Sequence, residues 1–297
     1  MPKKKVAILT GGDSSERAVA LSSAKNVIAV LADKYELVVF DFPRDLDKFL
    51  VSYKKFEVAI PVFHGPGGED GVVQGFLKTL NIPFIFSDVE AHSVAMDKAL
   101  SKFIAEKIGI KTAPYLVLNK FENLQFNNPL VVKPLVGGSS IGISIAQDKK
   151  QLDKALREAF KYSTRVLAED YIKGKELTVP VIDKKGQSLA LPVIEIRSKN
   201  SFFDYQSKYD AALAQELCPA PIDESLAKQL QMQAVKIHQA IGARHISRSD
   251  FIVSDTEIYF LEINTIPGMT DESLLPKSLK AAGEDFGQLL STWIEEL

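Results

Sequence analysis

Two carboxylates and an amide are spaced along this sequence so that a hairpin would bring them together. Arg248 and Asp250 fall two residues apart in one apolar run, and Glu262 and Asn264 do so in the next. Successive side chains of a strand point to opposite faces, so each pair shares a face, and a turn near 255–256 places Asp250 within about one residue of the position opposite Glu262. Like charges this close resist ionising together unless a cation neutralises them.

Oxygen ligands of this kind suit Mg²⁺ or Mn²⁺, and Mg²⁺ commonly binds one or two carboxylates together with substrate phosphates. The alternative is the solvated outer face of an edge hairpin. The next segment, TIPGMTDESL at 265–274, favours the metal site. Backbone N–H groups exposed by its Pro-Gly loop are suited to binding an anion there.

A second candidate site is the glycine-rich run VVKPLVGGSSIG at 131–142. Its consecutive N–H groups and two hydroxyls could wrap a polyphosphate, while Lys133 supplies a positive charge at the end of a strand. Lys98 is another candidate phosphate lysine. The run is not a Walker motif, because no G-K-[ST] follows it. A structural hairpin is the alternative, and we favour phosphate binding.

Further candidate residues lie in turns after apolar runs. Glu16 lies in GGDSSE at 11–16 and His64 in HGPGGEDG at 64–71. Loops at the carboxyl ends of parallel strands are ligand sites, and a helix N-terminus there favours a substrate carboxylate. A capped glycine turn is the structural alternative.

Carboxylates also bracket the short Gly turn near residue 174. Glu169 and Glu176 could accept hydrogen bonds from adenine or ribose, although a surface hairpin gives the same pattern. Lys208 and Tyr209 add a cation and a phenol to a polar stretch that is too long for a tight turn, and long connections are often functional.

The elements that must position these residues alternate between short apolar strands and helices in the first third of the chain. This order predicts a parallel sheet within an α/β domain. Two α+β units follow. We expect strands at 5–10, 36–42, 57–63 and 82–87, one helical stretch over 91–109, and three domains at 1–91, 92–180 and 181–297.

Composition excludes several classes of function. Lys plus Arg total 36 and Asp plus Glu total 38, so the net charge of −2 predicts neither nucleic acid nor a membrane surface as a partner. The single cysteine, Cys218, cannot form an intrachain disulfide, and no apolar run is long enough for a signal peptide or a membrane span. We therefore expect a cytoplasmic protein.

Nine motifs in order resemble those of the D-alanine–D-alanine ligases of the ATP-grasp superfamily, over nearly the whole chain. They are GGDSSER (11–17), HGPGGEDGVVQG (64–75), MDK (96–98), VVKPLVGGSSIG (131–142), EDYIKGKELTV (169–179), FFDYQSKY (202–209), CPA (218–220), RSDF (248–251) and LEINTIPGMTDESLLP (261–276). The resemblance implies an ATP-grasp fold of class α/β, in which a Rossmann-like N-terminal domain joins two α+β domains that clamp ATP.

The resemblance also implies a role for each matching residue. For ATP these are Lys98, Lys133, Gly138, Ser140, Glu169, Ile172, Glu176 and Lys208, and for two Mg²⁺ or Mn²⁺ ions they are Asp250, Glu262 and Asn264. A trio that positions the first D-alanine is formed by Glu16, Ser139 and Tyr209, with His64 near its carboxylate. The oxyanion site is formed by Arg248 and Gly268, and the carboxylate site of the second D-alanine by Ser273 and Leu274.

The implied activity is ATP-dependent formation of D-alanyl-D-alanine for peptidoglycan, through a D-alanyl phosphate, by a homodimer. Family members commonly have a histidine where this chain has Asp271-Glu272, which bears on the choice of acceptor. Alternatives are a D-serine or D-lactate ligase and a non-catalytic ATP-grasp protein. Because G-x-G-x-x-G follows no strand, a dinucleotide-dependent dehydrogenase is disfavoured.

Overall fold

The computed structural model describes residues 3–198 and 214–297, and the elements below are those found within these ranges. The strands are β1 Lys5–Gly11, β2 Glu36–Phe42, β3 Val58–Val62, β4 Tyr115–Leu118, β5 Leu130–Pro134, β6 Ser144–Ala146, β7 Val166–Asp170, β8 Lys175–Lys184, β9 Gln187–Ala190, β10 Ile194–Ser198, β11 Ala214–Leu217, β12 Ile246–Val253 and β13 Ile258–Asn264. The helices are α1 Arg17–Leu31, α2 Leu46–Ser52, α3 Val72–Thr79, α4 Val89–Met96, α5 Lys98–Lys107, α6 Lys149–Ala159, α7 Glu224–Ala240, α8 Leu274–Ala282 and α9 Phe286–Glu295, with a 3-10 turn at Tyr53–Lys55.

The predicted parallel sheet is present and has the order β2-β1-β3. The central strand β1 is an almost continuous apolar run, as expected for a strand covered on both faces. One face packs against α1 and the C-terminal helix α9, where Trp293 is buried. The other face packs against a phenylalanine-rich cluster around Phe49.

The prediction of a strand at 82–87 is wrong. Only an isolated bridge forms there, in which Ala59 N donates to Pro83 O at 2.8 Å and Ile85 N donates to Ala59 O at 3.2 Å. Phe86 then takes a φ of 73°, and its N–H donates to His245 Nδ1 at 2.8 Å instead of to a strand.

The single helical stretch predicted at 91–109 is two helices, α4 and α5. Asp97 separates them, because its backbone is extended and its carboxylate accepts from Ala99 N and Leu100 N at 3.0 Å. A side chain that caps a helix in this way satisfies N–H groups that have no partner within the helix. The break places Lys98 at the first position of α5.

The remaining strands form two antiparallel sheets. One has the order β4-β7-β5-β6, and the other has the order β11-β10-β8-β12-β13 with β9 added along β8. Strand β8 runs through residue 180, where we place a domain boundary, and lies wholly in the larger sheet. The three-domain division stays a prediction. Among the described residues, no helix is both long enough and apolar enough to span a membrane.

Candidate active site

The hairpin of β12 and β13 brings the predicted acidic residues together. Asp250 lies directly opposite Glu262, and Arg248 lies opposite Asn264. The Arg248 guanidinium donates to both oxygens of Asp250 at 2.9 Å, and the Thr178 hydroxyl donates to the same carboxylate. Asp250 is buried. The hairpin therefore carries paired carboxylates beside a fixed guanidinium.

The electrostatics of Arg248 are set by these neighbours. Burial disfavours its charged form, but Asp250, Glu262 and Glu69 outweigh burial and raise the pKa of the guanidinium. Burial and the nearby Glu16 carboxylate raise the pKa of Glu69 to about 8.

Lys98 connects this hairpin to the glycine-rich loop. Its Nζ lies 3.1 Å from Glu262 Oε2 and donates to Gly137 O at 2.8 Å, and the side chain is buried. Lys98, Gly137, Gly138, Ser140 and Glu262 line a small cavity between the loop and the hairpin. A phosphate entering there would meet a lysine, backbone groups and a hydroxyl.

Glu169 lies at the centre of a buried charge cluster. Lys133 Nζ is 2.5 Å and Lys102 Nζ is 2.7 Å from its two oxygens, and all three side chains are nearly inaccessible. Burial opposes ionisation of Glu169, but the two lysines outweigh it and lower the pKa of the carboxyl. Lys102 also donates to Phe260 O on β13 at 3.3 Å, so the cluster is tied to the hairpin.

Sequence reasoning missed Lys102. The signal was its position four residues after Lys98, which places both lysines on one face of α5. Its positive charge alone did not indicate a site, because exposed lysines on helices are common. A lysine buried this deeply, in contrast, requires a partner.

The glycine-rich loop folds back towards the N-terminal sheet. Ser139 and Ser140 both have left-handed backbone conformations, with φ of 50° and 57°. Ser139 Oγ donates to the Glu16 carboxylate. A Cβ on Gly138 would lie 2.6 Å from Glu16 Oε2, so a larger residue there would require the Glu16 carboxylate to shift. Two members of the predicted trio thus meet, while Tyr209 and Lys208 lie outside the described residues.

The other predicted binding residues occupy separate edges of the site. Ile172 is half-buried in the connection between β7 and β8, and Glu176 lies on β8 opposite Ile196 and Ile252. Glu176 is therefore at the larger sheet and Glu169 at the smaller one.

The predicted acceptor site lies at the start of α8. Ser273 is its N-cap residue, and Leu274 is its first helical residue. A Cβ on Gly268 would lie 2.7 Å from Ser273 Oγ, so the Gly268 backbone lies against this helix end.

His64 lies within the protein hydrogen-bond network. Its Nε2 is 3.0 Å from Ser23 Oγ, and its Nδ1 is 3.1 Å from Ile266 O. A contact from His64 to a substrate carboxylate would require one of these bonds to be exchanged.

An apolar cavity of about 700 Å³ adjoins Glu16 and the glycine-rich loop. It is lined on the N-terminal side by Phe42, Phe63 and Phe76 and on the other by Ile141 and Tyr162.

The chain matches the family model described as D-ala D-ala ligase C-terminus over residues 104–295. A D-alanine–D-alanine ligase of Citrifermentans bemidjiense is 43% identical over 98% of this chain and 95% of its own length. Two crystal structures of the ligase of Bacillus anthracis, one complexed with ATP, are 36% and 35% identical with TM-scores of 0.85 and 0.84, and cover 98% of this chain and 96% of theirs. The VanG D-Ala:D-Ser ligase of Enterococcus faecalis is 29% identical with a TM-score of 0.84, over 99% of each chain.

The fold is that of an ATP-grasp enzyme. Within that class, the chain belongs to the D-alanine–D-alanine ligase family. The resemblance found in the sequence is confirmed at the level of family, fold and enzyme class.

Proposed function

We propose that the protein joins two D-alanines into D-alanyl-D-alanine and converts ATP to ADP and phosphate. Family membership supports the reaction, and one structural observation supports its assignment to this site. The observation is the pairing of Asp250 with Glu262 across the hairpin, with Arg248 and Lys98 as their cationic partners beneath the glycine-rich loop.

We place ATP between the glycine-rich loop and the hairpin, where Lys98, Gly138 and Glu262 line a cavity. The structure of one relative is complexed with ATP, which supports ATP as the substrate. Lys98 and Lys133 would bind its phosphates, with Gly138 and Ser140 of the loop above them. Glu169 would face the adenine and Glu176 the ribose, with Ile172 beside the base. Lys208 stays a predicted contact of the γ-phosphate.

The chemistry of the donor set fits Mg²⁺ or Mn²⁺. Carboxylates directly opposite each other on paired strands destabilise a sheet unless cations compensate, and here the compensating groups are Lys98 and Arg248. Within residues 3–198 and 214–297, no three His, Cys, Asp or Glu side chains form a metal cluster. Asp250, Glu262 and the Asn264 amide oxygen would therefore need phosphate oxygens to complete the shell, which is typical of Mg²⁺. When bound, two such ions neutralise phosphate charge.

In the first step the carboxylate of one D-alanine attacks the γ-phosphorus. A carboxyl O–P bond forms and the bond from the γ-phosphorus to the bridging oxygen breaks, so ADP leaves. Glu16 and Ser139 would hold this D-alanine, together with Tyr209 and with His64 nearby. The acyl phosphate is a better electrophile than the carboxylate.

In the second step the amino group of the other D-alanine attacks the acyl carbon. The C–N bond forms, phosphate leaves and the nitrogen loses a proton. The oxyanion formed on the way would accept from Arg248 and the Gly268 N–H, and donors of this kind stabilise the transition state. Ser273 and Leu274, at the N-terminus of α8, would bind the second carboxylate.

Phosphate release with Mg-ATP and D-alanine tests the proposal, with the product identified by mass. D-alanyl-D-alanine and one phosphate per dipeptide are expected. Parallel reactions offer D-serine or D-lactate beside D-alanine, since Asp271 and Glu272 stand before Ser273. Preferred formation of the mixed dipeptide or depsipeptide would show that the second substrate is D-serine or D-lactate and not D-alanine. No phosphate release with any acceptor would contradict ligase activity.

We further propose that the enzyme works as a homodimer in the cytoplasm, where ATP is available. Light scattering of the purified protein tests the dimer, for which a monomer mass would be contrary evidence.

A further inference from the structure

The loop that carries Gly268 is held by side chains from the N-terminal segment. On one side of Gly268, both backbone polar groups of Met269 are bonded to helix α1. Met269 N donates to Ser23 Oγ at 3.2 Å, and Asn26 Nδ2 donates to Met269 O at 2.6 Å.

On the other side, both backbone polar groups of Ile266 are bonded to the turn after β3. Ile266 N donates to Glu69 Oε1 at 3.1 Å, and His64 Nδ1 lies 3.1 Å from Ile266 O. Glu69 also accepts from Gly65 N at 3.2 Å, which fixes its carboxyl group to its own turn. Because His64 Nε2 lies 3.0 Å from Ser23 Oγ, the two sides form one network.

The donors and acceptors that meet at His64 and Ser23 are mutually consistent. Burial lowers the pKa of His64 to about 4, so the ring is neutral at pH 7 and carries one N–H. With that N–H donated to the Ile266 carbonyl, Nε2 accepts from the Ser23 hydroxyl. The Ser23 oxygen then accepts from Met269 N. None of these contacts places two hydrogen-bond donors opposite each other.

We propose that Ser23, Asn26, His64 and Glu69 form a loop clamp that positions the Gly268 N–H towards the oxyanion. This inference rests on the proposed function. A glycine has no side chain to fix its own peptide, so the orientation of its N–H depends on the residues on either side. The flanking side chains, Ile266 and Met269, are also buried, and so both neighbours of the Pro-Gly step are fixed in backbone and side chain.

The clamp couples two parts of the chain that are far apart in sequence. Its four side chains come from α1 and from the turn after β3, whereas the loop follows β13. The same α1 begins directly after Glu16, which we place at the first D-alanine. The clamp residues are positioning residues, because they act through the Gly268 peptide.

Two pairs of variants test the clamp. Ser23→Ala and Asn26→Ala each remove one bond to Met269, and Ser22→Ala and Lys25→Ala change exposed neighbours on the same helix. We expect kcat for dipeptide formation to fall about 10- to 100-fold in the clamp variants, since misplacement of a catalytic group by an ångström costs this much. The KM for ATP is expected to stay at the parent value. The control variants should match the parent in both constants.

Amide hydrogen exchange at Gly268 and Met269 in the ligand-free protein is the second readout. It does not depend on turnover. Faster exchange at these two amides in both clamp variants, together with lower kcat, is the expected result. Faster exchange with unchanged kcat would overturn the positioning role, and unchanged exchange would overturn the clamp itself.

Different results would contradict the ligase function and the loop clamp. If the parent protein forms no dipeptide, the proposed function fails, and the oxyanion role of the clamp fails with it. If the parent is active and both clamp variants match it, only the clamp is wrong. Asn26 is half-buried, so Asn26→Ala keeps the test open if the fully buried Ser23 does not tolerate replacement.

Discussion

Replacing Arg248 by alanine separates its proposed catalytic role from its structural one. In the structure its guanidinium makes two hydrogen bonds of 2.9 Å to Asp250. Loss of one oxyanion donor typically lowers turnover by about 10² to 10³, which corresponds to about 3 to 4 kcal/mol in the barrier. We expect this loss in kcat.

The same change also costs stability, because it leaves Asp250 buried without its guanidinium. Breaking a buried ion pair costs about 3 to 5 kcal/mol. Thr178 still donates to Asp250, so we expect the lower part of that range, within the stability of an ordinary domain. The variant should fold but unfold at lower temperature or denaturant concentration.

The assay measures kcat for dipeptide formation at a temperature where circular dichroism shows the variant folded. Arg197→Ala is the control for a bidentate pair with similar spacing, although the Arg197 side chain is 49% exposed and that of Arg248 is 14% exposed. Arg197 also makes a bidentate pair two residues along a strand, with Glu195 at 2.8 and 3.0 Å, and lies outside the proposed site residues. The control should lose less stability than Arg248→Ala, because its guanidinium is more exposed, and should keep parental turnover. Arg248→Lys keeps a charge for Asp250 without the planar fork, so it should recover stability more than turnover.

Near-parental kcat in folded Arg248→Ala would refute the oxyanion role. An equal loss of turnover in the Arg197 control would show that the loss of any such ion pair is enough to lower turnover.

Three further variants test buried ionisable residues. Lys98→Ala removes the cation between Glu262 and the loop, so the KM for ATP should rise at least about tenfold in steady-state kinetics; an unchanged KM would contradict a phosphate contact. Lys102→Met removes one of the two cations that fix Glu169, so the ratio of kcat/KM for ATP over GTP should fall, whereas a parental ratio would count against an adenine-facing Glu169. Burial lowers the pKa of His245 to about 4, below its ordinary 6.5. Above pH 6.5 the neutral ring therefore contributes about 3 kcal/mol to the free energy of unfolding, and this contribution is lost as the pH falls towards 4. His245→Asn should weaken the acid dependence of the unfolding temperature, and an unchanged dependence would exclude this titration.

The hairpin register could be predicted from sequence because alternation along a strand is a local rule. Asp250 and Glu262 are opposite each other as the turn position requires. The error at 82–87 has a non-local cause, since the partner that takes the Phe86 N–H is His245, distant in sequence. The helix break at Asp97 was foreseeable in principle, because Asp is a preferred N-cap residue.

The loop clamp could not be read from the sequence. His64 stood in a glycine-rich turn typical of ligand sites, whereas Ser23 and Asn26 looked like ordinary polar helix residues. Only the tertiary fold shows that all three converge on the loop after β13. The sequence motifs identified the family. The hydrogen bonds in the structure identify the residues that hold the Gly268 loop in place.

Transfer of oxygen from substrate to phosphate tests the central claim most directly. The protein is incubated with Mg-ATP and D-alanine labelled with ¹⁸O in both carboxyl oxygens, and the dipeptide and phosphate are analysed by mass. Attack of the carboxylate on the γ-phosphorus predicts one ¹⁸O atom in the phosphate for each D-alanyl-D-alanine formed. Dipeptide formed with unlabelled phosphate would contradict the acyl phosphate, and labelled D-alanine recovered without dipeptide would contradict the ligase.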